Sequence, residues 1–352
     1  MLEDLPNSAR LGSDSALPCD IVGVGQGKGM RSRFGLLMVV AAAAGPMAPV
    51  AVAQTRAEWR AIGQYGEKNA PLTLFERDGA LFVDGGGYAA ARLTRIDDGV
   101  YVIAGGGELV LAKRAVRLNG RTLAFHDFGA ESEAATRRAV KADPVALRRR
   151  ALAATPPVEA GPHLPDDLVD LTGVDRRIRL DIRYAGARNF MGIPLYERAA
   201  AFLQRPAAAA VGRAQQALAA KGYGLMIHDA YRPWFVTWMF WEATPPEDHV
   251  FVADPAQGSR HNRGCAVDLT LYDLRTGKVV EMPSRYDEAS RRSYSNFVGG
   301  TTRQRALRDM LREAMVAEGF EVYPEEWWHF DYRTWRRYAI GTKSFTELAS
   351  RR

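Results

Sequence analysis

The sequence predicts an α+β fold, helices laid on a mainly antiparallel sheet, preceded by a small all-β domain. Three observations carry this. Between residues 54 and 128, short apolar runs are separated by Asp-Gly and Asn-Gly pairs, the residues a tight hairpin turn prefers. From 168 to 352, strand-like runs alternate with two stretches of helical periodicity. The intervening residues, 129–167, are charged and Ala-rich, then Pro-rich, and read as a helical linker ending in an extended one.

In chain order, residues 1–29 read as an extension outside the folded protein. Their run Gly23 to Gly29 is a poor phosphate loop because no helix follows it. From Met30 the pattern changes to Arg31 and Arg33, an apolar run from Phe34 to Ala44, a Gly45-Pro46 break and the small residues Ala51-Val52-Ala53. That is the layout of a signal peptide over 30–53, cleaved after Ala53, and it predicts a periplasmic or secreted protein. The apolar run is too short to span hydrocarbon, so no stable membrane anchor is expected. Cys19 precedes the cleavage point, leaving only Cys265 in the mature chain. No internal disulfide is then possible, and Cys265 reads as a small buried residue.

Residues 54–128 offer the strands Leu72–Phe75, Ala80–Val83, Val100–Ile103 and Leu109–Leu111, with turns at Asp78-Gly79, Asp98-Gly99 and Asn119-Gly120. They predict a meander that curls into a partial barrel and carries no catalytic cluster. In the larger domain, Ile178–Tyr184 alternates like a strand and Asn189–Gly192 reads as a loop. Pro206–Lys221 is a helix started by proline and stopped by Gly222. Leu225–His228 is a strand that delivers Asp229-Ala230-Tyr231-Arg232-Pro233 at its end. Trp234–Trp241 is aromatic packing, and Arg303–Glu318 is a helix with one apolar face, Leu307, Leu311 and Met315 with Met310 and Ala314.

Two segments carry the chemistry. The first is Ser259-x-His261-x-x-Gly264-x-Ala266-x-Asp268, and the second, far downstream, is Glu326-Trp327-Trp328-His329. Together they read as one zinc site. Two imidazoles and a carboxylate leave a fourth tetrahedral position for a water that can attack a carbonyl, as a hydrolase needs. Gly264 can take a backbone conformation that a side chain would resist, so a turn folds one ligand toward the next. Asp268 would point into the site from the buried strand Ala266–Leu271. Strict strand alternation would put Glu326 and His329 on opposite faces, so a local irregularity is expected there.

With Asp229–Pro233, these segments resemble the zinc D-alanyl-D-alanine dipeptidases of the VanX type, within the wider D,D-peptidase group, over roughly Leu168 to Tyr338. The resemblance implies one zinc per chain held by His261, Asp268 and His329. It makes Glu326 the catalytic base and places Arg232 against the transition-state oxyanion. Ser259, Asp287 and Tyr184 would handle the amino end of a small dipeptide. The alternatives are a D,D-carboxypeptidase acting on peptidoglycan stem peptides and a non-catalytic zinc-stabilised binding module. The formal charge of +6 comes from Lys and Arg scattered among nearly as many Asp and Glu, with Arg148–Arg150 the only basic triplet, so a nucleic-acid partner is not expected.

Overall fold

The computed structural model describes residues 55–349. The extension 1–29 and the signal-peptide segment 30–53 lie outside the described residues. Among the described residues no helix is long and apolar enough to cross a membrane.

A one-and-a-half-turn helix, α1 (Arg56–Ala61), opens the described chain behind a Thr55–Glu58 capping box. Eight strands follow, β1 (Gly63–Tyr65), β2 (Leu72–Arg77), β3 (Ala80–Gly85), β4 (Tyr88–Asp97), β5 (Val100–Ile103), β6 (Glu108–Ala112), β7 (Ala115–Leu118) and β8 (Arg121–His126). They form a closed barrel. Closure goes beyond the partial barrel the sequence suggests, and β1 is the reason. Gln64 pairs with Thr73 on β2 and with His126 on β8, so a three-residue strand joins the two ends. Leu74, Val83, Ile103, Leu109 and Val116 fill the interior as a core of the barrel's own. Asp78-Gly79 and Asn119-Gly120 both have positive φ at each residue, as two-residue hairpin turns require.

The stretch read as a linker holds two capped helices, α2 (Phe128–Ala142) behind Asp127 and α3 (Pro144–Ala153) behind Asp143. They do more than connect, because Val140, Leu147 and Ala151 belong to the core of the following domain. That domain contains β9 (Leu168–Asp170), β10 (Arg179–Leu180), β11 (Phe202–Gln204), α4 (Arg205–Ala219), β12 (Tyr223–Asp229), α5 (Trp234–Ala243), β13 (Ala266–Asp273), α6 (Thr302–Ala317), β14 (Phe320–Val322), β15 (His329–Tyr332) and α7 (Phe345–Ala349). Its five-stranded sheet runs β10-β12-β13-β15-β14. Only the β10–β12 pair is parallel. The strand expected over Ile178–Tyr184 pairs at two residues only, then coils into a turn at Arg183–Ala185 that buries Tyr184.

The barrel is docked on this domain. The Glu76 carboxylate accepts from the backbone N–H of Thr302 at 2.7 Å and from its hydroxyl at 3.1 Å, while Arg305 donates to the Glu76 carbonyl at 2.6 Å.

Candidate active site

Sheet register assembles the site. Asp229 on β12 pairs with Asp268 on β13, and Asp268 pairs with His329 on β15, so three polar residues form one row across neighbouring strands. The row exists because β12 slips by one residue between Ile227 and Asp229, a bulge that leaves His228 unpaired and re-aims Asp229. Turns bring the rest. Gly264, at φ +65°, closes the short turn His261–Arg263 that returns the chain into β13. Glu326–His329 is itself a turn closed by His329 N–H to the Glu326 carbonyl at 3.2 Å, with β15 starting at His329. This is the expected irregularity, and it puts Glu326 Oε2 3.7 Å from His329 Nδ1.

His261, Asp268, His329, Glu326, Arg232, Ser259, Asp287 and Tyr184 all line one cavity of about 80 Å³. Among the lining residues, three candidate ligand atoms form a triangle: His261 Nε2 to His329 Nδ1 is 3.1 Å, His261 Nε2 to Asp268 Oδ1 is 3.3 Å, and His329 Nδ1 to Asp268 Oδ1 is 3.1 Å. Ligands about 2.0–2.2 Å from one tetrahedral ion stand about 3.3–3.6 Å apart, so the triangle needs to open by only a few tenths of an ångström.

Proton accounting points the same way. His261 Nδ1 lies 2.6 Å from the Ala230 carbonyl, which only accepts, so that nitrogen carries the hydrogen and Nε2 a lone pair. His329 Nε2 donates to Asp331 Oδ1 at 2.8 Å, which leaves Nδ1 as the inward atom. Asp268 Oδ1 is buried with no hydrogen-bond partner, while its Oδ2 accepts from the Tyr286 hydroxyl at 2.9 Å. Burial opposes a charge on His329, yet Asp331 and Asp268 outweigh it and raise the imidazole to about 10. The surroundings therefore demand positive charge at Nδ1, and a divalent cation meets that demand in place of a proton. Burial likewise opposes ionisation of Asp268, but the facing His261 and His329 imidazoles hold its carboxyl well below the usual range.

Arg232 is buried. Its Nε and Nη2 bind Asp229 Oδ2 at 2.9 and 2.8 Å, and its guanidinium lies over the rings of Phe240 and Tyr184, 4.6 and 5.4 Å from their centroids. The Tyr196 hydroxyl donates to Asp229 Oδ1 at 2.6 Å. Arg232 Nη2 also stands 3.8 Å from Asp268 Oδ2, so its charge faces the ligand triangle. Glu326 is pushed up to about 8, chiefly by burial. Asp287 sits at φ +59°. Its Oδ1 accepts from the Tyr184 hydroxyl at 2.9 Å, its Oδ2 is buried without a partner, and burial raises its carboxyl well above the usual range. Ser259 is buried, and its hydroxyl accepts from the His261 backbone N–H at 3.2 Å. Cys265 is buried and free, its thiol pushed up to about 12 by burial.

Several participants are not singled out by sequence reasoning. Asp331 follows His329 at the strand period of two, and Asp229 precedes Arg232 in the same motif, so both carried a readable signal. Tyr286 and Tyr196 carried none, since only the folded loops bring them in.

Residues 165–339 match the peptidase family Peptidase M15, described as D-ala-D-ala dipeptidase. The D-alanyl-D-alanine dipeptidase of Escherichia coli strain K12 is 34% identical over 165 residues, covering 47% of this chain and 84% of that protein. Those of Enterococcus faecalis strain V583 and Enterococcus faecium are 35% and 34% identical, each over 44% of this chain and 85% and 86% of their own. With most of those relatives' length matched, and the matched residues holding every side chain that lines the cavity, the chain belongs to the Peptidase M15 family of D-ala-D-ala dipeptidases and is a metallopeptidase.

Proposed function

We propose that the protein is a zinc dipeptidase that splits D-alanyl-D-alanine or a related wall-derived dipeptide. The observation that carries this reading is a single small cavity with the ligand triangle at one end and the unpaired Asp287 Oδ2 in its wall. His261, Asp268 and His329 would hold the zinc, whose donor set of two imidazoles and one carboxylate suits that ion. When bound, zinc supplies a Lewis acid that polarises the scissile carbonyl and makes a water more nucleophilic.

The chain's own residues do the rest. Glu326 takes a proton from the attacking water and returns it to the departing amine. Arg232, fixed by Asp229, presents a permanent positive charge to the oxyanion that develops. Asp287 pairs with the dipeptide's ammonium, steadied by Tyr184, and Ser259 lines the same wall while bracing the His261 turn. An acylated or chain-extended substrate would leave Asp287 without that partner. A buried carboxylate left without its partner costs at most on the order of 3–5 kcal/mol, up to hundreds- to thousands-fold in rate, and protonation of the raised Asp287 carboxyl offsets part of that cost.

The test is a panel of L,L, L,D and D,D dipeptides, with N-acetyl-D-alanyl-D-alanine and a stem pentapeptide, assayed beside metal analysis. Rapid cleavage of the free D,D dipeptide and very slow cleavage of the other two is expected, and Asp287→Ala should narrow that gap chiefly by slowing the free dipeptide. Release of terminal D-alanine from the pentapeptide at an equal rate would replace this reading with a carboxypeptidase. Export belongs to the same proposal, supported by Arg31, Arg33 and Ala51-Val52-Ala53. N-terminal sequencing of fractionated cells should find Gln54 first in a periplasmic or secreted protein, and an uncleaved cytosolic protein would rule export out.

A further inference from the structure

The residues ahead of the family match pack against the loop that borders the site. Helix α2 buries one stripe, Gly129, Ser132, Thr136 and Val140. Gly129 lies so close to the loop bearing Asp287 that a Cβ there would stand 2.1 Å from Glu288 Cγ. Beside Asp287 is a second cavity of about 40 Å³ that none of the three candidate ligands lines. Ser132 and Thr136 wall it from α2, Thr244 and Asp248 from the peptidase fold, and it shares Asp287 and Glu326 with the active-site cavity. Thr244 Oγ1, like Asp287 Oδ2, is buried there without a hydrogen-bond partner.

One barrel residue pins this wall. Lys68, between β1 and β2, donates to Ser132 Oγ at 2.9 Å and to Asp248 Oδ1 at 2.6 Å. The Asp248 side chain is only 3% exposed. It belongs to the turn Pro246–Phe251, whose Val250 and Phe251 line the active-site cavity. A single ammonium thus ties together the barrel, α2 and a wall of the substrate pocket.

We propose that this junction sets the length limit of the substrate, with Ser132 and Thr136 closing the amino end of the pocket and Lys68 as the positioning residue that keeps it closed. The inference rests on the dipeptidase reading and adds a steric limit to the selection by charge at Asp287. A free ammonium stops at Asp287, whereas one more residue would need the volume that α2 fills. The chemistry of the limit is therefore separable from that of the carboxylate.

The experiment compares kcat and KM for D-alanyl-D-alanine and tri-D-alanine in the zinc-loaded full chain and its variants. For Lys68→Met, kcat/KM on the tripeptide should rise about tenfold or more while kcat on the dipeptide stays within about twofold, and Lys68→Arg should restore the original ratio. Thr136→Ala, which opens the wall without touching the ion pair, should shift the ratio the same way, and it decides the matter if Lys68→Met does not fold. An unchanged ratio in the folded variants, or a parallel loss on both substrates, would overturn the proposal and leave the dipeptidase reading standing. A wild-type enzyme that splits no dipeptide would overturn both.

Discussion

His329 and Glu326 are three residues apart and 3.7 Å apart at their closest charged atoms, yet the structure gives them opposite surroundings. His329 is fixed through Nε2 by Asp331 with its other nitrogen in the ligand triangle. Glu326 points into the same cavity from outside that triangle. Glu326→Gln should therefore keep metal content and fold while turnover drops about 10²-fold or more, the scale of a lost general base. His329→Ala should lose metal, and Asp331→Asn should weaken metal affinity about 10- to 100-fold by releasing the ring. Atomic absorption on the purified variants reads all three, and metal loss in Glu326→Gln equal to that in His329→Ala would make Glu326 a ligand. At this scale ligand chemistry, which restricts residue types, made His261, Asp268 and His329 legible, whereas Glu326, Arg232, Ser259, Asp287 and Tyr184 were named through the family resemblance; all eight line one cavity. What escaped was support: Tyr196 reaches Asp229 across 33 positions, a contact no local pattern encodes.

At the scale of elements, the turn before β13 is where sequence and geometry meet most tightly. Gly264 has φ +65°, and a Cβ there would lie 2.4 Å from Leu168 Cδ2, so alanine meets both backbone strain and a side chain on β9. Gly264→Ala should cost about 1–3 kcal/mol in urea unfolding and raise the KM of the dipeptide by disturbing His261. An unchanged urea midpoint would show that the turn tolerates a side chain. The helices Pro206–Lys221 and Arg303–Glu318 were readable to within a residue or two, since proline, Gly222 and the Leu307-Leu311-Met315 face mark them. The stretch around Ile178 was not, because buried Ile178 and Ile182 mimic strand alternation while the backbone coils to seat Tyr184.

For the whole molecule, one contribution to acid stability comes from His228, the residue left over by the bulge in β12. Burial, with Arg183 adding to it, lowers its imidazole to about 4, against the opposing pull of Asp181. Tyr286 covers its other side at 4.6 Å between ring centroids. Between pH 6.5 and 4 the unfolded chain binds a proton there and the folded chain does not, so the contribution of His228 to stability falls as pH falls through that window, against the opposite contribution of the raised Glu326 carboxyl. The loss is on the order of 3 kcal/mol. His228→Gln should gain stability relative to the parent as pH falls from 7 to 4, measured by urea midpoints of both, and a constant difference between the two would show that His228 does not titrate in that window. The all-β region was legible as hairpins, but its closure was not, because three residues around Gln64 carry no pattern beyond their pairing on both sides.

That closure also bears on the order in which the chain acquires structure. Every strand of the barrel lies between Gly63 and His126, and its interior is a core of its own, whereas the five-stranded sheet needs residues from Arg179 to Tyr332. A chain emerging amino end first can complete the barrel before most of the peptidase has been made, as domains generally fold in that direction. Ribosome-stalled chains ending near residue 165 should then already resist protease across residues 63–126, and uniform digestion would refute this order. The early barrel would act as a scaffold, presenting Lys68 and Glu76 as anchor points on which the later residues Asp248 and Thr302 settle.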